Sequence, residues 1–325
     1  MIISMKKTIL IGVMTLALGA CSTTSQKNEA QGQIDIVPAF ENPTELKVSH
    51  LGKNIRYVPL ETTDSSLIGA AWSIRLLENK ILVSCKEANL LFDRQTGKFL
   101  RKVSSVGEGP REYLQGNYLP FIHPKTGDIY FNRTPEKMIG FNQEGEFLGE
   151  WSLPIPWNDR SYLTFDDNQA LLHTTEGGQR LFRFNANAEV SDSIVLPPFG
   201  RDIDFKDFKS LSHFVGNSGK MFGLGMFSCH GILAFQYKSD ERMDLIPDRY
   251  PSLYPYQDEI RFHEACSDTI FSIEGNKLSP RWIFHTGEHH FPMERYGEMK
   301  ESLNYIAVTY AVENEHLLFF QCAKG

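Results

Sequence analysis

Three short stretches of this 325-residue chain bring together residue types that do chemistry. HTGEHH, at 285–290, spells the H-x-x-E-H pattern of zinc hydrolases. That chemistry needs both histidines on one helical face, holding a metal while the glutamate moves a proton. Here the pattern follows the strand-like RWIF, contains Gly287 and runs into Pro292, so a turn is predicted and the hydrolase reading falls. His289 and His290 remain candidates for a non-catalytic metal contact. FDDNQ, at 165–169, offers calcium-type oxygens but lacks the spaced ligands and glycine of an EF-hand. Asp and Asn ahead of a strand form turns instead. SVGEGPREYL, at 105–114, looks like a phosphate-cradling loop. Such a loop needs successive backbone N–H donors, then Lys and Ser or Thr at a helix start. Pro110 removes a donor and no Gly-Lys-Ser/Thr follows, so the stretch is expected to be a fixed crossing between strands. Gly107 and Gly109 give it conformational freedom, Pro110 stiffens its exit, and Tyr113 packs. Arg111 and Glu112 are the residues it could turn toward a ligand.

No G-x-S-x-G is present, and cysteines 85, 229, 266 and 322 are scattered, without CxxC or metal-ligand spacing. Catalytic residues are therefore not assigned, and no cofactor is expected. Four cysteines allow three full pairings in an oxidising compartment, and free buried thiols are the alternative. Trp72, Trp151, Trp157, Tyr162 and Trp282 have the flat faces that stack on sugar rings, although most such residues belong to cores. Trp157, in PIPWNDRSY at 154–162, is the best exposed candidate, because Asn158, Asp159 and Arg160 follow it in a loop.

The elements that would position these residues are repeats. Residues 80–103 hold three short strands, of which LFDRQTGKFL is a hairpin turning at Gly97. The device returns as KMIGFNQEGEFL at 137–148 with Asn142 and Gly145, and as RLFRFNANAEV at 180–190, in which Ala188 replaces the glycine. A fourth copy is GILAFQYKSDERMDLI at 231–246. An upstream strand precedes each: KILVS, GDIYFN, NQALLHT and GKMFGL. Four short strands recurring every 40–50 residues or so mark a β-propeller. A β-sandwich is the rival, but it does not require the same hairpin four times. LKVSHLGKNIRYVPLE at 46–61 is expected to give two more strands, and SDTIFSIEGNKLSPRWIFHTG at 267–287 a fifth unit. A sixth begins at EHLLFFQCAKG and lacks its last hairpin, so the final blade is expected to be incomplete and the chain to continue in a longer reading frame. The best helix candidate is 293–308. The fold class is thus all-β, a six-bladed propeller of four-stranded antiparallel blades over residues 45–325.

The N-terminus carries an address. Lys6 and Lys7 precede the uncharged TILIGVMTLALGA at 8–20. This run is too short to span a bilayer and fits a cleaved secretory signal. It ends in LGAC, similar to the lipobox of bacterial lipoproteins, which makes Cys21 the lipidation site and residues 1–20 the signal. Residues 21–44 read as a polar tether. Ser22 in place of an aspartate favours the outer membrane, on either its periplasmic or its cell-surface face. The formal net charge is −7, and losing Lys6 and Lys7 makes it more negative. That excludes the basic footprint of nucleic-acid binding and electrostatic docking on anionic lipid. Contact with the membrane is expected through the lipid anchor only.

IRYVPLETTDSSLIG at 55–69, the TGKFL hairpin and GEGPREYL at 107–114 follow one another in an order that resembles the six-bladed β-propeller lipoprotein family of Gram-negative gut anaerobes. SDTIFSI at 267–273 with LSPRW at 278–282 is similar to a later blade of that family. The resemblance covers nearly the whole mature chain and implies an NHL-like propeller, often associated with polysaccharide uptake. It supplies no catalytic residues. The expected function is a binding or scaffold module for a glycan, peptide or protein. The competing class is a propeller hydrolase or lyase with a metal in its central channel, which would need carboxylates or histidines converging from several inner strands.

Overall fold

One side chain sets each repeated turn. In the computed structural model, Asp93 Oδ1 accepts the N–H groups of Gln95 and Thr96 at 3.0 and 2.7 Å. Asn142 Oδ1 takes those of Glu144 and Glu146 at 3.0 and 2.8 Å, and Asn185 Oδ1 those of Asn187 and Glu189 at 3.0 and 3.1 Å. The chain then reverses at Gly97, Gly145 and Ala188, with φ of 72°, 76° and 64°. Ala188 thus adopts the left-handed conformation of the glycine it replaces, one that costs a side chain about 1–2 kcal/mol. The structure describes residues 2–4, 32–45, 47–50, 52–69, 71–85, 88–113, 120–157, 162–174, 180–196, 208–215, 231–238, 243–248, 252–264, 267–292 and 305–324.

Two compact units divide the chain. One comprises Lys47–Phe199 with Asp248–Pro255, the other Met1–Leu46, Gly200–Pro247 and Tyr256–Gly325. The first elements in the chain, β1 (Ile2–Ser4), β2 (Gly32–Asp35) and α1 (Val37–Glu41), belong to the second unit.

The first unit holds three successive four-stranded antiparallel sheets. They are β3 (Ala71–Leu76), β4 (Lys80–Cys85), β5 (Ala88–Asp93) and β6 (Phe99–Ser105); β7 (Phe121–Ile122), β8 (Ile129–Thr134), β9 (Lys137–Phe141) and β10 (Phe147–Ser152); and β11 (Tyr162–Asp166), β12 (Gln169–Thr174), β13 (Arg180–Phe184) and β14 (Val190–Val195). Strand order within each sheet follows chain order. Second strands such as KILVSC are buried along nearly their whole length, whereas the outermost, such as VSDSIV, are largely open to solvent. Leu82, Leu91 and Val103 of the first sheet pack against Phe131, Ile139 and Phe141 of the second. Phe121, Tyr130 and Met138 of the second pack against Phe165, Leu172 and Phe184 of the third. Meander stacked on meander is the blade arrangement of a β-propeller.

Polar clasps tie one blade to the next. Lys80 Nζ donates to the Gln143 carbonyl at 3.0 Å and to Glu144 Oε1 at 2.8 Å, and Arg101 donates to the Glu144 carbonyl. Ser152 N–H donates to the Ala186 carbonyl at 2.9 Å. Lys125 reaches Asp167 at 2.7 Å while Asp166 pairs with Arg183. The FDDNQ stretch is therefore a turn held by ion pairs, with Asp167 at φ 50°.

Residues 54–61 were expected to contribute strands and instead lie as an extended strap on the first blade. Pro59 has no N–H to give a ladder. Val58 and Leu60 cover Ile81, Val83, Leu90 and Phe92, and Glu61 N–H donates to the Gly97 carbonyl at 2.9 Å. The Pro59 carbonyl oxygen fills the space a Cβ at Gly97 would need.

In the second unit β15 (Phe208–Val215), β16 (Gly231–Tyr237) and β17 (Met243–Asp248) form a three-stranded sheet carrying the fourth repeated hairpin. Its upstream strand, GKMFGL, lies outside the described residues. β18 (Leu253–Tyr256) leads through a turn at Gln257 into β19 (Glu259–Phe262), β20 (Thr269–Glu274) and β21 (Lys277–His285). β2 runs parallel to β21, with Gly32 opposite Trp282. The folded part thus starts before residue 45: Ile34 and Ile36 are buried, and a Cβ at Gly32 would overlap the Trp282 ring. β22 (Ile306–Glu313) and β23 (Leu317–Lys324) form a hairpin, and in the uncleaved chain β1, which lies within the stretch expected to be a signal, pairs with β23. Of the helix expected at 293–308, residues 293–304 lie outside the described residues and 306–308 open β22.

Arg261 joins β19 to β22 through a buried ion pair. The side chain is 2% exposed; Nε donates to Glu313 Oε1 at 2.6 Å and Nη1 to Ser272 Oγ at 2.8 Å and to Glu259. Trp282 Nε1–H gives Glu313 its second bond, at 3.0 Å, and the Tyr256 ring lies 5.1 Å from the guanidinium carbon.

Candidate functional site

The two ends of each four-stranded blade differ. At one end lie tight turns: 77–79, 94–98, 142–146, 185–189 and 275–276. At the other lie the loops between second and third strands and the described parts of the connections between sheets, 106–113, 153–157 and 286–292. Arg111, Glu112, Trp157, His289 and His290 fall in these connections, each at the crossing end of its own blade. Asn158, Asp159 and Arg160 lie outside the described residues.

The first connection folds onto itself. Gly107 N–H donates to the Tyr113 carbonyl at 3.0 Å, and Tyr113 N–H to the Ser105 carbonyl at 3.1 Å. Glu112 turns inward: Oε2 accepts Gly109 N–H at 2.9 Å, and Oε1 lies 3.4 Å from Ser105 Oγ. A Cβ at Gly107 would overlap that carboxylate, so any other residue there would push the Glu112 side chain out of this position. Arg111 stays exposed, with its guanidinium 5.3 Å from the Phe147 ring on β10, the outermost strand of the second blade. Arg111 and Glu112 therefore do not converge. Tyr113 stacks on Phe131 at 4.9 Å, and its hydroxyl accepts Asn89 Nδ2–H at 2.7 Å.

Trp157 is half-buried, 5.0 Å from Phe121, and its N–H donates to the Pro135 carbonyl. It extends the core between the second and third blades rather than standing free. Trp151 and Tyr162 pack there too, and Trp282 is buried.

HTGEHH ends β21 and makes one 3-10 turn at Gly287–His289, with Gly287 at φ 59°. The histidines take different partners: His285 Nε2 meets Gln33 Oε1 at 3.2 Å, His289 Nε2 lies 3.8 Å from Glu288, and His290 Nδ1 lies 3.3 Å from Asp268. Among the described residues no three His, Cys, Asp or Glu side chains gather as a metal set. Cys85 is buried and Cys322 half-buried, while Cys21, Cys229 and Cys266 lie outside the described residues.

Sequence reasoning missed a polar rung below the crossing end. Ile81, Ile129 and Ala170 face Phe92, Phe141 and Phe184 at equivalent places in three blades. Three residues further on stand Ser84, Asn132 and His173, all buried. In the second unit Ile260 faces Ile273, and three residues on is buried His263. His173 Nδ1 meets Ser252 Oγ at 2.7 Å, and His263 Nε2 meets the Ser267 carbonyl at 3.0 Å. Burial holds the His263 pKa down to about 4, against the opposing pull of the Ser267 carbonyl and the Asp268 charge. The signal was present in LVS, YFN, LLH and RFH, where a polar residue closes each run.

Comparison with solved structures gives the exported protein BF0058 of Bacteroides fragilis at TM-score 0.54 and 17% identity, covering 83% of this chain and 70% of that one. That likeness shows a shared fold. AztD of Citrobacter koseri (14% identity, 69% of this chain, 51% of that one) and the Cps50 (Swd1) β-propeller domain of Myceliophteria thermophila (12%, 67% and 73%) are more distant, each at TM-score 0.34. No curated protein matches the chain significantly in sequence. A family profile matches residues 31–325, and the chain belongs to that family, the domain of unknown function DUF4934.

Proposed function

We propose that this protein is a lipid-anchored, extracytoplasmic propeller of six blades that acts as a binding or scaffold module for a glycan, peptide or protein. The observation that carries the reading is the asymmetry of the blades. Tight, side-chain-locked turns at one end hold the scaffold, and long connections at the other carry the exposed Arg111 and the histidines of 286–290. Binding residues concentrate on loops positioned by a rigid scaffold. Ile74 and Leu76 on β3 are exposed, an apolar edge of the kind a further blade covers, which supports a ring longer than three blades. The exported B. fragilis neighbour supports the address, as does the LGAC sequence at Cys21. No helix among the described residues is long and apolar enough to cross a membrane.

Two experiments test this. Metabolic labelling with an alkyne fatty acid should tag the wild-type chain and not Cys21→Ala; equal labelling would remove the anchor. A glycan and peptide array probed with the detergent-extracted full chain should give a saturable binder. Replacing 286–290 by Gly-Ser repeats, or Arg111 by Ala, should weaken it. Binding unaffected by both changes would move the site away from the crossing end.

A further inference from the structure

Ser84 and Asn89 face each other across β4 and β5, and both are 0% exposed. Asn89 gives its amide to the Tyr113 hydroxyl, yet its Oδ1 and the neighbouring Ser84 hydroxyl find no partner among the described residues. Buried polar atoms of this kind are costly when dry, and proteins satisfy them with internal water making about three hydrogen bonds. Two of the other blades show what the rung does when its side chain is an imidazole. His173 crosses to Ser252 and His263 to the Ser267 carbonyl, each without an intermediary. Serine is too short for that. Directly opposed side chains on paired strands face each other at close range, so a single water seated beside Ser84 Oγ can also reach Asn89 Oδ1.

We propose that one buried water molecule replaces the longer side chain in the first blade, bridging Ser84 Oγ and Asn89 Oδ1. Through the Asn89 amide it ties β4 to Tyr113, and so to the seat of the GEGP connection. Two oxygens are too few to hold a cation, which takes about six or more, whereas a buried water makes about two to four hydrogen bonds.

A crystal structure of the full chain that resolves ordered solvent should place a water about 2.7–3.2 Å from both atoms. Ser84→Asn, which installs the side chain found at this rung in the next blade, should expel that water and keep or raise Tm. Ser84→Val should lower Tm by stranding Asn89, and Ser84→Val with Asn89→Leu should lower it less than the two single changes summed. Three results would overturn the proposal: a protein group from residues 86–87 satisfying both atoms, a peak with the shorter contacts of a metal ion, or strictly additive Tm changes.

Discussion

Acidification should weaken this protein in part through His263. The ring is 1% exposed, and burial lowers its pKa from 6.5 to about 4. Folding therefore favours the neutral imidazole. Its contribution is complete above pH 6.5, the unfolded value, and is lost as the pH falls toward the folded value. Each unit of pKa difference corresponds to about 1.4 kcal/mol, so the loss between neutral pH and pH ~4 is about 3 kcal/mol. Asp268 faces the ring and would hold a charged imidazole in place, which keeps the effect from being larger. Histidine C2–H chemical shifts, assigned with His263→Gln, read the pKa directly. Urea unfolding from pH 7.5 to 4.5 reads the energy as the difference in slope between wild type and the variant. A ring titrating near 6.5, or identical slopes, would refute the reasoning.

Other changes probe the scaffold. Gly97→Ala meets both a left-handed φ and the Pro59 carbonyl, so it should cost about 2 kcal/mol or more and speed amide exchange at Glu61. Ala188→Gly relieves the same strain at φ 64° and should stabilise by about 0.5–1 kcal/mol in thermal or urea unfolding, after the entropy glycine adds to the unfolded chain. Glu313→Gln leaves the buried Arg261 with only the solvent-exposed Glu259 as a carboxylate partner, for a cost of about 2–3 kcal/mol in the same assay. Joint replacement of Arg261 by Met and Glu313 by Leu should recover most of that loss.

The blades were legible in the sequence because the turn chemistry repeats: Asp93, Asn142 and Asn185 perform one task, and even Ala188 keeps the glycine geometry. The strap at 54–61 was not, because its apolar pattern is that of a strand and only Pro59 tells against a ladder. β2 hid in a polar run, since two buried isoleucines are too few to set a period. The site was legible less far. Sequence placed Arg111 and Glu112 side by side, but the inward turn of Glu112 depends on a through-space contact with Gly109 N–H. Trp157 looked loop-borne, and its packing on Phe121 depends on how two sheets stack.

The central claim is binding without turnover. Calorimetric titration of the full chain with the ligand chosen from the array, with and without a chelator, addresses it directly. A binding module gives saturable heat, unchanged by chelation, and releases its ligand intact. Cleavage of the ligand that stops on chelation would contradict it and point instead to a metal-dependent propeller enzyme.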